Sequence, residues 1–320
     1  MKKKTNKALS ILLPLILGVF LIIYTYNSFT QEQIQKLKVT IQGANYGFVF
    51  ISGILAFLGY VLRAYRWKYT LEYIGYKANF KLNLAAVSIG YFLNLTIPRS
   101  GEISRAALLT KYGDVPFDKG FGTIISERIV DFIILLCFIF TAIVLEFSTL
   151  KSFLLEYIPV QKLILLLIIS FVFAIIGIYL MIYSKLKWVL FIKNKISGLT
   201  DGALSVFKMP NKWPFMILTL IIWLTYVLMF YSIVFALEET SAISFSAVIV
   251  AFVIGSLTIA FTNGGFGFFP VLIAKILFLY NIPIEIGNAF GWIVWTSQLV
   301  ITVILGGLAL ILLPTFAKKK

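Results

Sequence analysis

The chain has 320 residues, 60% of them hydrophobic and 13% charged, with a mean hydropathy of +0.98, so most of it must face lipid or other buried helices rather than water. It contains no histidine and one cysteine, Cys137, inside an apolar run, which excludes intrachain disulfides, Cys/His metal sites and histidine acid–base chemistry. The net charge of +15 sits on lysines and arginines that flank apolar stretches, as membrane topology and anionic headgroups require, so nucleic acid is not an expected partner.

The first apolar stretch, Ala8 to Tyr26, follows Lys2, Lys3, Lys4 and Lys7 and is long enough to cross about 30 Å of hydrocarbon. No small-x-small cleavage site follows it, so it reads as an uncleaved anchor. Five further spans follow, at Tyr46 to Leu62, Gly120 to Leu145, Leu163 to Tyr183, Trp213 to Leu237 and Gly287 to Leu313. Two other apolar stretches, Leu82 to Ile97 and Phe245 to Tyr280, are interrupted by Gly, Pro, Asn and Thr and read as broken or re-entrant hairpins. The expected fold class is an all-α polytopic membrane protein with about six full spans and two such hairpins.

With the N-terminus inside, 22 of the 28 Lys and Arg residues fall in cytoplasmic segments, and both termini are expected in the cytoplasm of an inner-membrane protein. Residues 1–150 then read span, span, hairpin, span, and residues 151–320 read as their inversion within one membrane domain. The breaks are chemically alike: Asn94 to Gly101, with Pro98, in the first half, and Phe261 to Gly267, with Asn263, Gly264 and Gly265, in the second. A broken helix leaves amides and carbonyls unpaired at membrane depth, which implies a polar cavity lined by these breaks. Kinks and close helix packing are the alternative use of such residues.

Charges at membrane depth cost roughly 2.5–3.5 kcal/mol each and normally face a partner or water. Glu127, Arg128 and Asp131 lie within one and a half turns, and Glu127 is roughly 12 Å along its helix from Lys119. They read either as cavity residues or as an internal salt-bridge cluster with Arg99 or Arg105 that locks helices together. Arg99, Glu102 and Arg105 recur every three residues after the first break. A helix starting near Ser100 either aims its amides and Arg99 at an anion, with phosphate as the ligand class, or is a cytoplasmic helix capped by Ser100. Arg63-Ala64-Tyr65-Arg66-Trp67 reads as an interfacial anchor, Lys195 to Lys208 as an interfacial helix, and Lys275 as a snorkelling lysine.

Arg63-x-x-Arg66-Trp67, Gly90-Tyr91-Phe92-Leu93-Asn94 running into Pro98-Arg99-Ser100-Gly101-Glu102-x-x-Arg105, Glu127-Arg128-x-x-Asp131 and Gly264-Gly265-x-Gly267 together resemble the flippase-like membrane domain of lysylphosphatidylglycerol synthases. The resemblance covers nearly the whole chain and implies a protein that moves lipids with anionic or modified headgroups between leaflets. That family usually carries Pro before the glycines of the second break and Glu after them, whereas Thr262-Asn263 and Phe268-Phe269-Pro270 stand here. The chain ends at Lys320 without a soluble aminoacyl-transfer domain, so it is not expected to make lysyl lipid itself.

The resulting expectation is a non-enzymatic lipid translocase. Arg99, Arg105 and Arg128 engage an anionic head, Glu127 and Asp131 orient them or meet a cationic substituent, and Glu102 is counted with them among the substrate-binding residues. Asn94, Pro98, Gly101, Asn263, Gly264, Gly265 and Gly267 line the breaks. Membrane lipids are the expected partners; neither cofactor nor metal is expected, and no nucleotide-binding P-loop is present. Two alternatives stand beside it. One is an intramembrane transferase using Glu127 or Asp131 as base on a lipid-linked substrate; the other is a non-transporting subunit that holds a lipid-modifying enzyme.

Overall fold

The structure is a computed structural model that describes residues 16, 19–77, 79–97, 99–149, 151, 169, 172, 175, 176, 179, 183, 206, 208–262 and 264–316. The span expected at Leu163 to Tyr183 and most of the expected helix at Lys195 to Lys208 lie outside these residues. Among the described residues every regular element is helical. Among the described residues, four helices are long and apolar enough to cross a membrane: α3 (Tyr46–Tyr73), α6 (Phe117–Leu145), α7 (Lys212–Val234) and α11 (Ile284–Phe316). The chain is an all-α polytopic membrane protein.

The remaining helices are α1 (Val19–Ser28), α2 (Gln31–Gly43), α4 (Phe80–Thr96), α5 (Ser100–Tyr112), α8 (Glu238–Ser241), α9 (Phe245–Phe261) and α10 (Phe268–Phe278). Short polar residues start several of them by accepting an otherwise orphaned amide. Asn45 takes the Gly47 amide at α3, Asn79 that of Lys81 at α4, and Ser244 that of Ala247 at α9. Thr30 and Gln33 form a reciprocal capping box on α2, a helix between the first two spans read from the sequence. α2 packs on α11, with Lys36 3.2 Å from Glu285.

The first interrupted stretch, expected as a hairpin over Leu82 to Ile97, is instead the single helix α4, and α5 beyond it returns against it; the second folds back on itself, α9 against α10. The returning arm of the first is α5, which carries too many polar residues to register as an apolar span. It buries Gly101, Arg105, Ala106 and Leu109 and leaves Ile103 and Lys111 exposed. The backbones of α4 and α5 nearly touch: a Cβ on Gly101 would lie 2.3 Å from the Gly90 carbonyl oxygen, so only glycine fits. Gly287 against Ala274 and Gly291 against Pro270 bring α11 equally close to α10.

Helix pairings repeat when α3, α4, α5 and α6 are exchanged for α7, α9, α10 and α11. Within each group the first packs on the second, the second on the third and the third on the fourth. Across the groups α3 packs on α7, α4 on α11 and α9 on α6. The apolar core follows the same division. One cluster gathers Trp223, Phe230, Phe252, Phe269 and Phe290 and receives Ala142 from the end of α6. A second gathers Trp67, Leu71, Ala86, Leu109 and Ile124 and receives Ala309 and Leu313 from the end of α11, and a smaller third joins Val130 of α6 to Phe215 of α7.

Candidate functional site

Helical spacing places the charges before tertiary contact pairs them. Arg63 and Arg66 are three apart on α3, and Glu127 and Asp131 four apart on α6, so each pair shares a helix face. The faces meet where α3 packs on α6, α5 adds Arg105, and α7 closes the site with Thr219 and Tyr226, two turns apart. Arg66 is wholly enclosed. Its Nη1 donates to Asp131 Oδ1 at 2.7 Å and to Thr219 Oγ1 at 3.0 Å, and its Nη2 donates to Asp131 Oδ2 at 3.2 Å, a two-pronged grip suited to the planar guanidinium.

Arg63 lies 3.2 Å from the same Asp131 and donates through Nε to the Tyr226 hydroxyl, while stacking over the rings of Tyr91 and Tyr226. Arg105 donates to Glu127 Oε2 at 3.0 Å, and Arg66 approaches that oxygen at 3.8 Å. The Arg105 guanidinium sits 4.0 Å over the ring of Trp67, whose indole donates to Thr123 on α6 at 2.9 Å. Low dielectric strengthens every one of these contacts and makes each unpaired atom costly. Among the described residues, Arg66 Nε, Arg105 Nε and Glu127 Oε1 are buried without a hydrogen-bond partner.

Arg63 and Arg66 correct the reading of Arg63 to Trp67 as an interfacial anchor. α3 continues past the expected end at Leu62 to Tyr73, and Arg63, Arg66 and Trp67 are buried among the helices rather than exposed as anchors. The signal was present in the three-residue Arg spacing. What hid it was the assumption that the helix ended beside those arginines. Tyr226 and Thr219 carried no sequence signal at all, because hydroxyls in an apolar span are common.

Glu127, Asp131 and Arg105, expected at the site, are buried within it. Arg128 and Glu102 join at its edge, Arg128 Nη2 lying 2.9 Å from Glu102 Oε1 between α6 and α5. Arg99 does not join: it is exposed, has left-handed backbone (φ 60°, ψ 16°) at the turn before α5, and has no carboxylate within ion-pair distance among the described residues. Two readings of α5 are corrected together. The Gly101 amide, expected to face an anion, is taken by Asn94 Oδ1 at 2.7 Å. Ser100 is no N-cap, its hydroxyl donating instead to the carbonyls of Leu93 and Ile97.

Pro98 and Asn263 lie outside the described residues. In the second break Gly264, Gly265 and Gly267 all have positive φ, 63°, 79° and 73°, a conformation that costs an L side chain roughly 1–2 kcal/mol. The Gly264 carbonyl accepts from the Trp295 indole at 2.8 Å, and the Gly265 amide donates to Thr262 Oγ1 at 3.0 Å, so this turn is anchored from α11 and from within. The two hairpin tips touch: a Cβ on Gly264 would sit 3.8 Å from Leu95 Cδ2 near the end of α4. Lys275, read as snorkelling, is exposed on α10. Among the described residues no group of side chains is suited to hold a metal ion.

Helical hairpins meeting beside a buried network of arginines and carboxylates define a polytopic membrane protein with a charged interior. The chain belongs to the lysylphosphatidylglycerol synthase transmembrane-region family, whose description matches residues 11–306. It is similar to the UPF0104 membrane protein MJ1595 of Methanocaldococcus jannaschii, with 25% identity over 312 residues that cover 90% of this chain and 91% of the relative. No solved structure matches it.

Proposed function

We propose that the protein is an inner-membrane lipid translocase that moves a phospholipid or other lipid with an anionic or modified headgroup between leaflets, without chemical change to it. Membership of a membrane family named for lipid modification supports a lipid as the substrate. The observation that carries the reading is the charge network itself. Among the described residues, four guanidiniums, Arg63, Arg66, Arg105 and Arg128, meet three carboxylates, Glu102, Glu127 and Asp131, leaving one positive charge uncompensated inside a membrane protein. A purely architectural lock is most stable when balanced; an excess cation is what an anionic headgroup would neutralise.

Depth and symmetry add support. Arg63 is roughly 26 Å along α3 from Tyr46, and Glu127 roughly 12 Å along α6 from Lys119, distances that fit a network in the cytoplasmic half of a protein whose N-terminus is inside. The repeated helix pairings fit two inverted halves, and hairpin tips in contact at Leu95 and Gly264 fit interrupted helices meeting inside the bilayer. Alternating access then consists of one half rocking against the other across the α3–α7 contact, with transport downhill or driven by an ion or the membrane potential.

The test is leaflet exchange of headgroup-labelled anionic, zwitterionic and lysyl-modified lipids in liposomes holding the purified protein. Faster exchange of one headgroup class, lost in a folded Arg128→Ala protein, is the expected result. Absence of exchange with every lipid, under an ion gradient and under a membrane potential, would overturn the reading in favour of a transferase or a subunit of a lipid-modifying complex.

A further inference from the structure

The network has a sealed part and an open part. Side chains of Arg63, Arg66, Arg105, Glu127 and Asp131 are each 8% exposed or less, whereas Arg128 is 34% and Glu102 19% exposed. An entering ligand therefore meets the outer pair first. That pair is incompletely made. It rests on one contact of 2.9 Å, although guanidinium and carboxylate can pair through two parallel hydrogen bonds. Glu102 Oε2 and Arg128 Nε, the atoms a second bond would use, are buried without a partner among the described residues. The opposite arrangement holds one shell deeper, where Arg66 and Asp131 use both prongs.

Position explains the difference. Glu102 stands in the first turn of α5, beyond the left-handed turn at Arg99, while Arg128 stands on the long helix α6 beside the sealed charges. Asn94 anchors the start of α5 through the Gly101 amide, and contact with Gly90 holds its backbone against α4. The Glu102 side chain reaches Arg128 from that anchored start by a single oxygen. Glu102 thus occupies, with a poorly matched carboxylate, a place in which a second oxyanion would find unused donors.

We propose that Arg128 is the docking point for a phosphate oxyanion and that Glu102 is a resident counter-ion which the phosphate must displace. This rests on the translocase reading for its lipid source, the phosphodiester of a headgroup, but the anion chemistry stands independently of transport. Displacement exchanges one negative charge for another at Arg128 and lets the phosphate use the unpartnered Nε as well as Nη2. Glu102 then swings from the pair, and because its departure costs an ion pair, an anion that takes only one of the two donors displaces it poorly. Its presence makes the site selective for anions that use both donors and keeps Arg128 paired when empty.

Binding to the purified full-length protein in neutral detergent tests this, with inorganic phosphate and a short-chain phosphatidylglycerol as separate probes and acetate as the competing carboxylate. Glu102→Gln removes the resident charge while keeping shape, and should tighten binding of both probes on the order of tenfold. Arg128→Ala should abolish it, and the Glu102→Gln, Arg128→Ala double variant should bind no better than Arg128→Ala alone. Tightening for the lipid with inorganic phosphate as competitor assigns the site to the diester headgroup; tightening for inorganic phosphate alone assigns it to the free ion. Unchanged binding in a Glu102→Gln protein of unaltered melting temperature, or retained binding in Arg128→Ala, would overturn the proposal. Leaflet exchange measured on the same preparations separates the two readings: exchange without the Glu102 effect leaves the translocase standing, and the Glu102 effect without exchange leaves the phosphate site standing.

Discussion

Arg66 and Asp131 are 65 residues apart in sequence, yet they grip each other through two hydrogen bonds in a place where the arginine has no exposed surface. Arg63 leans on the same carboxylate at 3.2 Å, so Asp131 pairs with two guanidiniums. Removing it leaves Arg63 without a carboxylate among the described residues and Arg66 with only the longer 3.8 Å approach to Glu127. Asp131→Ala is expected to destabilise the protein by about 3–5 kcal/mol, the usual cost of breaking a buried pair from one side. Replacing Arg66 and Asp131 together by Met and Leu should recover part of that loss, Arg63 still lacking its carboxylate. Midpoints of denaturant unfolding in micelles check both, and a single variant as stable as wild type would contradict the enclosure of the pair.

Close backbone approach makes a second prediction. Gly101→Ala puts a Cβ 2.3 Å from the Gly90 carbonyl oxygen and 2.6 Å from Asn94 Nδ2, so α4 and α5 must part. A loss of about 1–3 kcal/mol is expected despite alanine's better helix propensity. Gly122 on α6 has nothing within 4 Å of its would-be Cβ, and Gly122→Ala should change stability by no more than about 0.5 kcal/mol. Thermal unfolding of the two variants side by side makes the comparison; equal effects would place the α4–α5 contact elsewhere.

Contact between the hairpin tips is testable by chemistry. In a Cys137→Ser background, Leu95→Cys and Gly264→Cys together should be joined rapidly by a short bis-thiol reagent, given the 3.8 Å approach of Leu95 to the Cβ position of Gly264. Moving the second cysteine to Phe278, which is exposed at the far end of α10, supplies the control. Joining is read as two fragments held together after proteolysis between the halves. Failure to join at Leu95 and Gly264 would separate the tips.

The ion pair of Lys36 and Glu285 should behave unlike the network. Its lysine is 48% exposed and the pair links α2 to α11 at the rim, so Lys36→Ala should cost less than about 1 kcal/mol and the difference should shrink in high salt. Unfolding midpoints at low and high ionic strength measure this. A loss as large as that of Asp131→Ala would move this contact into the structural core.

Hydrophobicity and charge asymmetry act locally along a chain, and what depends on them was legible in the sequence. α3, α6, α7 and α11 were located within a few residues at most ends, the breaks that follow α4 and α9 were recognised, and Glu127, Asp131 and Arg105 were singled out because charges among apolar residues demand a partner. Helix ends were less legible. α3 runs eleven residues beyond Leu62, because tertiary burial of Arg63 and Arg66 removes the cost that would have stopped an apolar span there. α5 escaped notice as a hairpin arm for the same reason: only contact with α4 and α6 makes a polar helix stable in that position.

Composition and periodicity by themselves determined that this is a helical membrane protein with charges it must hide. Which charges meet was decided by tertiary structure alone. Asp131 chooses Arg66 and Arg63 over its sequence neighbour Arg128, and Arg128 turns to Glu102 on another helix, because side chains one helical turn apart compete with partners that only packing brings near. A pairing energy depends steeply on distance and on exclusion of water, and both are properties of the assembled helices rather than of any segment.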